Sequence, residues 1–249
     1  MLGIAVLLGA PGSAQAQAKE LHVAAAADLQ PIMPQLAAAY EHATGVKVLA
    51  SFGSTATLAQ QLENGEPADV FLSADFLHPE GLVAAGLAEE KSPVPYARGV
   101  LVLWARNDSP AQPLSLDSLT SPKVQKIAVA NDLHAPYGMA ATQALKAMHL
   151  TDQVAGKLVV AENIMQTAQF AETGNAQVAI ISLTIANSPH FRSLGTFVRF
   201  PNVYLRVQQC AVVLKAAKNK AAALDFVRWL TGPAVQTALP GMGLDPANQ

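Results

Sequence analysis

A two-lobed α/β fold is the class this sequence predicts, and three observations carry that expectation. Short apolar runs alternate with helical runs along nearly the whole chain. Several of the strand-like runs end in Asp, Ser or Asn at the start of the next helix. The 249 residues suffice for two lobes of roughly 100 residues, each with a core of its own.

Taken in order, Leu21-His22-Val23-Ala24-Ala25-Ala26-Ala27 reads as a buried strand. Asp28 stands where a helix N-cap belongs, ahead of a helix over 29–40. A β-rich run at 46–50 leads into Ser51-Phe52-Gly53-Ser54-Thr55-Ala56-Thr57-Leu58, with Ser54 or Thr55 at the N-cap of a second helix. A third strand over 68–75 and a helix over 79–85 complete a βαβ series, which calls for a mainly parallel sheet. Residues 94–104 read as one long strand, after which the alternation restarts: strands at 127–130, 158–160 and 178–182, helices at 137–148 and 165–172. Two apolar runs, 203–207 and 210–214, then lead to a helix over 221–230 whose Phe226, Val227 and Leu230 share a face. The long strands near 100 and 205 are expected to form a two-strand hinge. The chain would then divide into lobe I (19–101 plus 204–249) and lobe II (102–203), with a cleft between them.

The first ten residues are apolar, and Ala14-Gln15-Ala16-Gln17-Ala18 offers an A-x-A cleavage site, so residues 1–18 read as a signal peptide. No run reaches the ~20 apolar residues of a membrane span, and the mature protein is expected to be soluble and exported. The single cysteine, Cys210, lies in a strand-like run and is expected to be buried packing. With a net charge of −2 and only 14% charged residues, there is no basic field for nucleic acid or an anionic membrane. An anion bound here would have to be held by local dipoles.

Such dipoles are available where ligands gather in α/β sheets, beyond the carboxyl ends of strands, and Asp28, Ser54 and Ser73 lie at such ends. Unpaired N–H groups and the macrodipole make a helix start attractive to an oxyanion, although a Ser/Thr cap with nothing bound has the same sequence. In the second lobe, Pro136 opens a helix with Tyr137 beside it, either a phenol reaching the cleft or a packing residue. Glu162-Asn163-Ile164 likewise puts N–H groups at Ile164 and Met165 at a helix start, or is only an Asn-capped helix. Catalytic and metal readings have less support. There is no G-x-S-x-G, no P-loop and no G-x-G-x-x-G, and the six histidines lack metal-ligand spacing. Asp69 and Asp75, flanking a strand end, are explained equally well as caps or salt links.

Over nearly the whole mature chain, these motifs resemble the periplasmic molybdate-binding proteins of ABC importers, the ModA family of type II solute-binding proteins. The resemblance rests on Ala24-Ala25-Ala26-Ala27-Asp28-Leu29, Ser51-Phe52-Gly53-Ser54-Thr55, Pro67 through Asp75, Pro136-Tyr137-Gly138 and Glu162-Asn163-Ile164. It implies a tetrahedral oxyanion, molybdate or tungstate, held between two lobes by neutral donors as transported ligand, with no cofactor, no cation ligands and no catalytic residues. By motif, Ser54 and Thr55 fall in one wall, Tyr137 and the backbone of Ile164 in the other. The implied partner is a membrane permease, the location periplasmic and the protein a monomer. One position departs: Asp28 stands where many members carry a hydroxyl or amide, and a carboxylate aimed at a dianion would repel it. Asp28 is therefore expected to offer its backbone N–H while its side chain caps the helix, or to accept a proton from a protonated oxyanion, which would favour phosphate-like ligands, or to turn outward after a change of solute. The rival readings are a receptor for phosphate or a small organic acid, and an exported hydrolase on the same lobes.

Overall fold

The computed structural model describes residues 20–247, and the leader expected over 1–18 lies outside them. The chain runs from β1 (Glu20–Ala26) through a 3₁₀ turn (Ala27–Leu29) into α1 (Met33–Thr44), then β2 (Lys47–Gly53), α2 (Thr55–Glu63), β3 (Val70–Ser73), α3 (Leu77–Ala84) and β4 (Val94–Gly99). A second stretch comprises β5 (Leu101–Arg106), β6 (Ile127–Ala130), α4 (Pro136–Ala147), α5 (Thr151–Val154), β7 (Leu158–Ala161), α6 (Ile164–Glu172), β8 (Val178–Ser182), α7 (Leu183–Ala186), α8 (Pro189–Leu194) and β9 (Gly195–Arg199). The return is made by β10 (Val207–Val213), α9 (Lys220–Leu230), α10 (Pro233–Ala238) and β11 (Leu244–Pro246).

Two sheets result. The first has the order β11-β4-β10-β3-β1-β2 and the second β7-β6-β8-β5-β9. The parallel pairing expected of βαβ units is present in β2-β1-β3 and in β7-β6-β8. The remaining pairs are antiparallel, so each sheet is mixed. β3, β6 and β8 are buried along their whole length, which is why they read as unbroken apolar runs and not as alternating ones.

Several expected elements shift. The strand over 94–104 is two strands that part at Val100, because its first half pairs with β10 and β11 and its second with β8 and β9. Asp28 does not cap α1: it sits inside the 3₁₀ turn, and α1 begins only at Met33 with Pro34 in its first turn. Pro34 is tolerated there because the first-turn N–H has no partner within the helix in any case. The run 203–207 joins strand β10 only at Val207, while β9 emerges over a stretch with no clear alternation.

Helices cover both sheets. Tyr40 of α1 meets Phe226 and Trp229 of α9 edge-on or tilted at 5.0 and 5.2 Å, and its hydroxyl donates to the Ala222 carbonyl at 3.1 Å. α1 stops at Gly45, whose φ of 71° is the left-handed conformation that a helix end favours in glycine. In the second half, Trp104 is fully buried, packs edge-on against Phe191 and donates from its indole N–H to the Phe191 carbonyl at 3.3 Å. Cys210 is buried, and burial pushes its thiol up to about 12, in keeping with a packing residue. No helix among the described residues is long and apolar enough to cross a membrane.

Candidate functional site

The carboxyl ends of β1, β2 and β3 face the ends of β6 and β7 across a narrow gap, and there the helix starts converge. α2, α4 and α6 all begin on one small cavity, lined among others by Asp28, Ser54, Thr55, Ala74, Tyr137, Asn163 and Ile164. Three helix N-termini therefore direct unpaired N–H groups and partial positive charge toward one volume. No lysine, arginine or histidine is among the described residues that line it. The chemistry available is that of an uncharged donor set around a small anion.

Each wall follows from local sequence. Ser54 caps α2: its Oγ accepts from the Thr57 N–H at 3.4 Å and donates to Thr57 Oγ1 at 2.6 Å. The Ala56 N–H reaches across to the His134 carbonyl at 3.1 Å, which leaves the Thr55 N–H as the free donor of that first turn. The Thr55 hydroxyl holds the end of β3 by accepting from the Ala74 N–H at 3.2 Å. On the opposite wall, Asn163 caps α6 by accepting from the Gln166 N–H at 3.0 Å, so the N–H groups of Ile164 and Met165 remain at the helix start. Pro136 is the first residue of α4 and spends no donor there, and Tyr137 follows it, fully buried.

Tyr137 and Asp28 are joined. The phenol donates to Asp28 Oδ2 at 3.1 Å, and Gln209 Nε2 donates to the same oxygen at 2.5 Å. Gln209 is oriented in turn by Tyr96, whose hydroxyl donates to Gln209 Oε1 at 2.8 Å. Thr184 Oγ1 donates to the Asp28 carbonyl at 2.7 Å. The Asp28 side chain is thus not the helix cap that the sequence suggests; it ties the first sheet's strand end to α4. Gly99 makes the approach possible, since a Cβ there would fall 2.1 Å from the Tyr137 hydroxyl. Burial is the largest influence on Asp28 and pushes its carboxyl up to about 7, partly offset by the Gln209 and Tyr137 hydrogen bonds.

All five sequence-derived residues, Asp28, Ser54, Thr55, Tyr137 and Ile164, meet in this cavity. Sequence reasoning missed Gln209, Tyr96 and Thr184. The available signal was Gln209 itself, a polar residue inside the apolar run of β10, buried at 0% exposure. Other candidates lie elsewhere. Ser73 Oγ and Asp75 bond each other beside His78, forming a turn and a helix start. Asp69 accepts from the backbone of His22 and Lys218 at the opposite strand ends. His134 is half-buried, with its ring at 3.3 Å from Glu162 Oε1. Among the described residues no group of three His, Cys, Asp or Glu could hold a metal ion.

Ser54→Ala removes the cap of α2 and is expected to lower stability by about 1 kcal/mol, a fall of roughly 2–4 °C in Tm measured by calorimetry without ligand. An unchanged Tm would show that Thr57 keeps the helix start closed without it.

A model of the family described as bacterial extracellular solute-binding protein matches residues 21–245. The molybdate-binding protein ModA of Azotobacter vinelandii is 36% identical over 233 residues, covering 92% of this chain and 90% of that protein. ModA of Rhodobacter capsulatus is 31% identical over 219 residues, covering 88% of this chain and 85% of its own length. Among solved structures, the periplasmic molybdate-binding protein of Azotobacter vinelandii superposes with a TM-score of 0.81 at 31% identity, over 90% of this chain and 98% of that one.

Proposed function

We propose, for a chain that belongs to the bacterial extracellular solute-binding proteins and to their molybdate-binding ModA members, that it captures molybdate, and tungstate with it, between its two lobes and delivers the anion to an ABC permease. The observation that carries this reading is the meeting of three helix N-termini on one cavity without a cationic side chain. Neutral donors suit an anion that must be held and then released, because no full counter-charge has to be separated from it afterwards. Asp28, Ser54, Thr55, Tyr137 and Ile164 are the residues assigned to it: backbone N–H groups at Asp28, Thr55 and Ile164, hydroxyls at Ser54 and Tyr137.

Lobe I is assigned to 20–100 with 204–247 and lobe II to 101–203, one residue earlier than expected because Leu101 opens β5 of the second sheet, and closure expels water so that donor geometry replaces hydration. The chain acts as an exported, soluble monomer that needs neither cofactor nor nucleic acid. A binding role, as opposed to hydrolysis, is supported by Ser54, whose hydroxyl bonds Thr57 and not a histidine that could serve as base.

A thermal-shift series tests the reading. Molybdate or tungstate at a hundred times Kd stabilises the native state by about 2.7 kcal/mol, which corresponds to a rise of roughly 5–10 °C. Sulfate, a smaller anion that leaves the donors stretched, is expected to give a much smaller rise at equal concentration. No shift with either molybdate or tungstate refutes the assignment, and a larger shift with phosphate or an organic acid reassigns the ligand.

A further inference from the structure

The two oxygens of Asp28 are treated unequally. Oδ2 accepts from Tyr137 and Gln209, whereas Oδ1 is buried and has no hydrogen-bond partner among the described residues. Asp28 is 0% exposed and is one of the residues lining the cavity into which the three helices open. A carboxylate there would leave one charged oxygen unpaired in a dry site, and a bound anion would add repulsion at close range. A carboxylic acid removes both difficulties: Oδ2, the carbonyl oxygen, is satisfied by Gln209 even when the single Tyr137 proton turns to the anion, and Oδ1 becomes a hydroxyl in need of an acceptor.

Among the described residues no charged side chain bonds Asp28; the ionisable pair at the site's rim is Glu162, which accepts from Thr57 Oγ1, with His134 at 3.3 Å. Facing Asp28 are the phenols of Tyr137 from α4 and Tyr96 from β4, both held well above the ordinary tyrosine value by burial first and so protonated. α7 carries no titratable side chain. The ionisable groups of the other neighbouring elements are engaged elsewhere or lie outside the site: Lys47 of β2 with Glu20, Glu172 of α6 with His190, Arg98 of β4 with the Pro246 carbonyl, and Lys146 exposed in the last turn of α4. Cys210, beside Gln209 on β10, stays a thiol.

We propose that Asp28 receives the oxyanion as a neutral acid, donating its Oδ1–H to an oxygen of the anion, so that capture carries one proton into the closed cleft. This rests on the oxyanion reading above and adds the protonation state in which the site works. Where the unliganded carboxyl is ionised, the proton comes from water onto Oδ1 as the cleft closes and returns to water on release, and no other bond is made or broken. With its pKa pushed up to about 7, the unliganded carboxyl already holds the proton below that pH and must take it up above. Binding raises the pKa further, because only the acid form can donate to the anion. Affinity should therefore be level on the acid side of about pH 7 and fall on the alkaline side, approaching tenfold per pH unit.

Isothermal titration calorimetry with molybdate between pH 6.5 and 9, in pairs of buffers of different ionisation enthalpy, tests this on the whole protein. The expected result is uptake approaching one proton per anion at pH 8.5 and a loss of at least tenfold in affinity between pH 7 and 9. Asp28→Asn, whose amide is a permanent donor of similar shape, should bind molybdate with no proton uptake and an affinity constant over the same range. Molybdate binding by the wild type without proton uptake overturns the proposal while leaving the oxyanion reading in place. An Asp28→Asn protein with the same pH slope as wild type also overturns it. Failure of both proteins to bind any oxyanion at any pH removes the reading and the proposal together. The proton count needs no variant, so the test stands even if Asp28→Asn does not fold.

Discussion

Tyr137→Phe is expected to weaken molybdate binding by about tenfold to a hundredfold while the protein remains folded. The ring is wholly buried and phenylalanine fills nearly the same volume, so core packing is kept. What is lost is the hydroxyl assigned to the anion, which without ligand donates to Asp28 Oδ2 at 3.1 Å and lies 3.4 Å from Gln209 Nε2. A deleted buried hydrogen bond costs about 1–3 kcal/mol once its partner is left short, which sets the range of the expected loss. The same bond lowers the Asp28 pKa, so its removal shifts that carboxyl further upward and moves the pH at which affinity begins to decline to a higher value. Calorimetric Kd values for the two proteins across pH decide it. Equal affinities would take Tyr137 out of the binding site and leave it as a packing residue.

Trp104→Ala acts on the opposite quantity. Its indole fills the core of the second sheet, packs on Phe191 at 5.2 Å and lies so close to Gly195 that a Cβ there would come within 2.5 Å of the ring. Truncation leaves a large cavity and deprives the Phe191 carbonyl of its indole donor, a cost of about 3–5 kcal/mol. For a chain of this length that is roughly 10 °C or more in Tm. Differential scanning calorimetry checks it, and a fall of less than about 3 °C would mean that the surrounding helices collapse into the space.

Much of this was legible in the sequence, and the boundary is physical. Local signals carried well: the apolar runs of β1, β3, β6 and β8, the Ser54 and Asn163 caps, and Pro136 at the start of α4 each depend on residues within one turn or strand. The five residues proposed for the anion were legible for the same reason, since four of them sit at helix starts, and all five line one cavity. Non-local pairings did not carry. Nothing near residue 100 distinguishes a strand passing from one sheet to the next from a single long strand, because the difference lies in its partners at 178–182 and 207–213. The role of Asp28 was misread for a related reason: a short polar residue before a helical run looks like a cap unless Gln209 is known to be beside it. The two residues are 181 positions apart.

That separation also determines when the site can come into being. β10 lies between β3 and β4 in the first sheet, so a chain leaving its point of synthesis or export cannot complete that sheet until residues 207–213 have emerged. Up to then β3 and β4 expose unpaired edges, and Asp28 lacks the amide that orients it. Contacts of such long range are slow to form, because the entropy of closing the loop is lost before any pairing is gained. The anion therefore cannot serve as an early template for folding. It meets a binding site only on a chain that has already arrived whole.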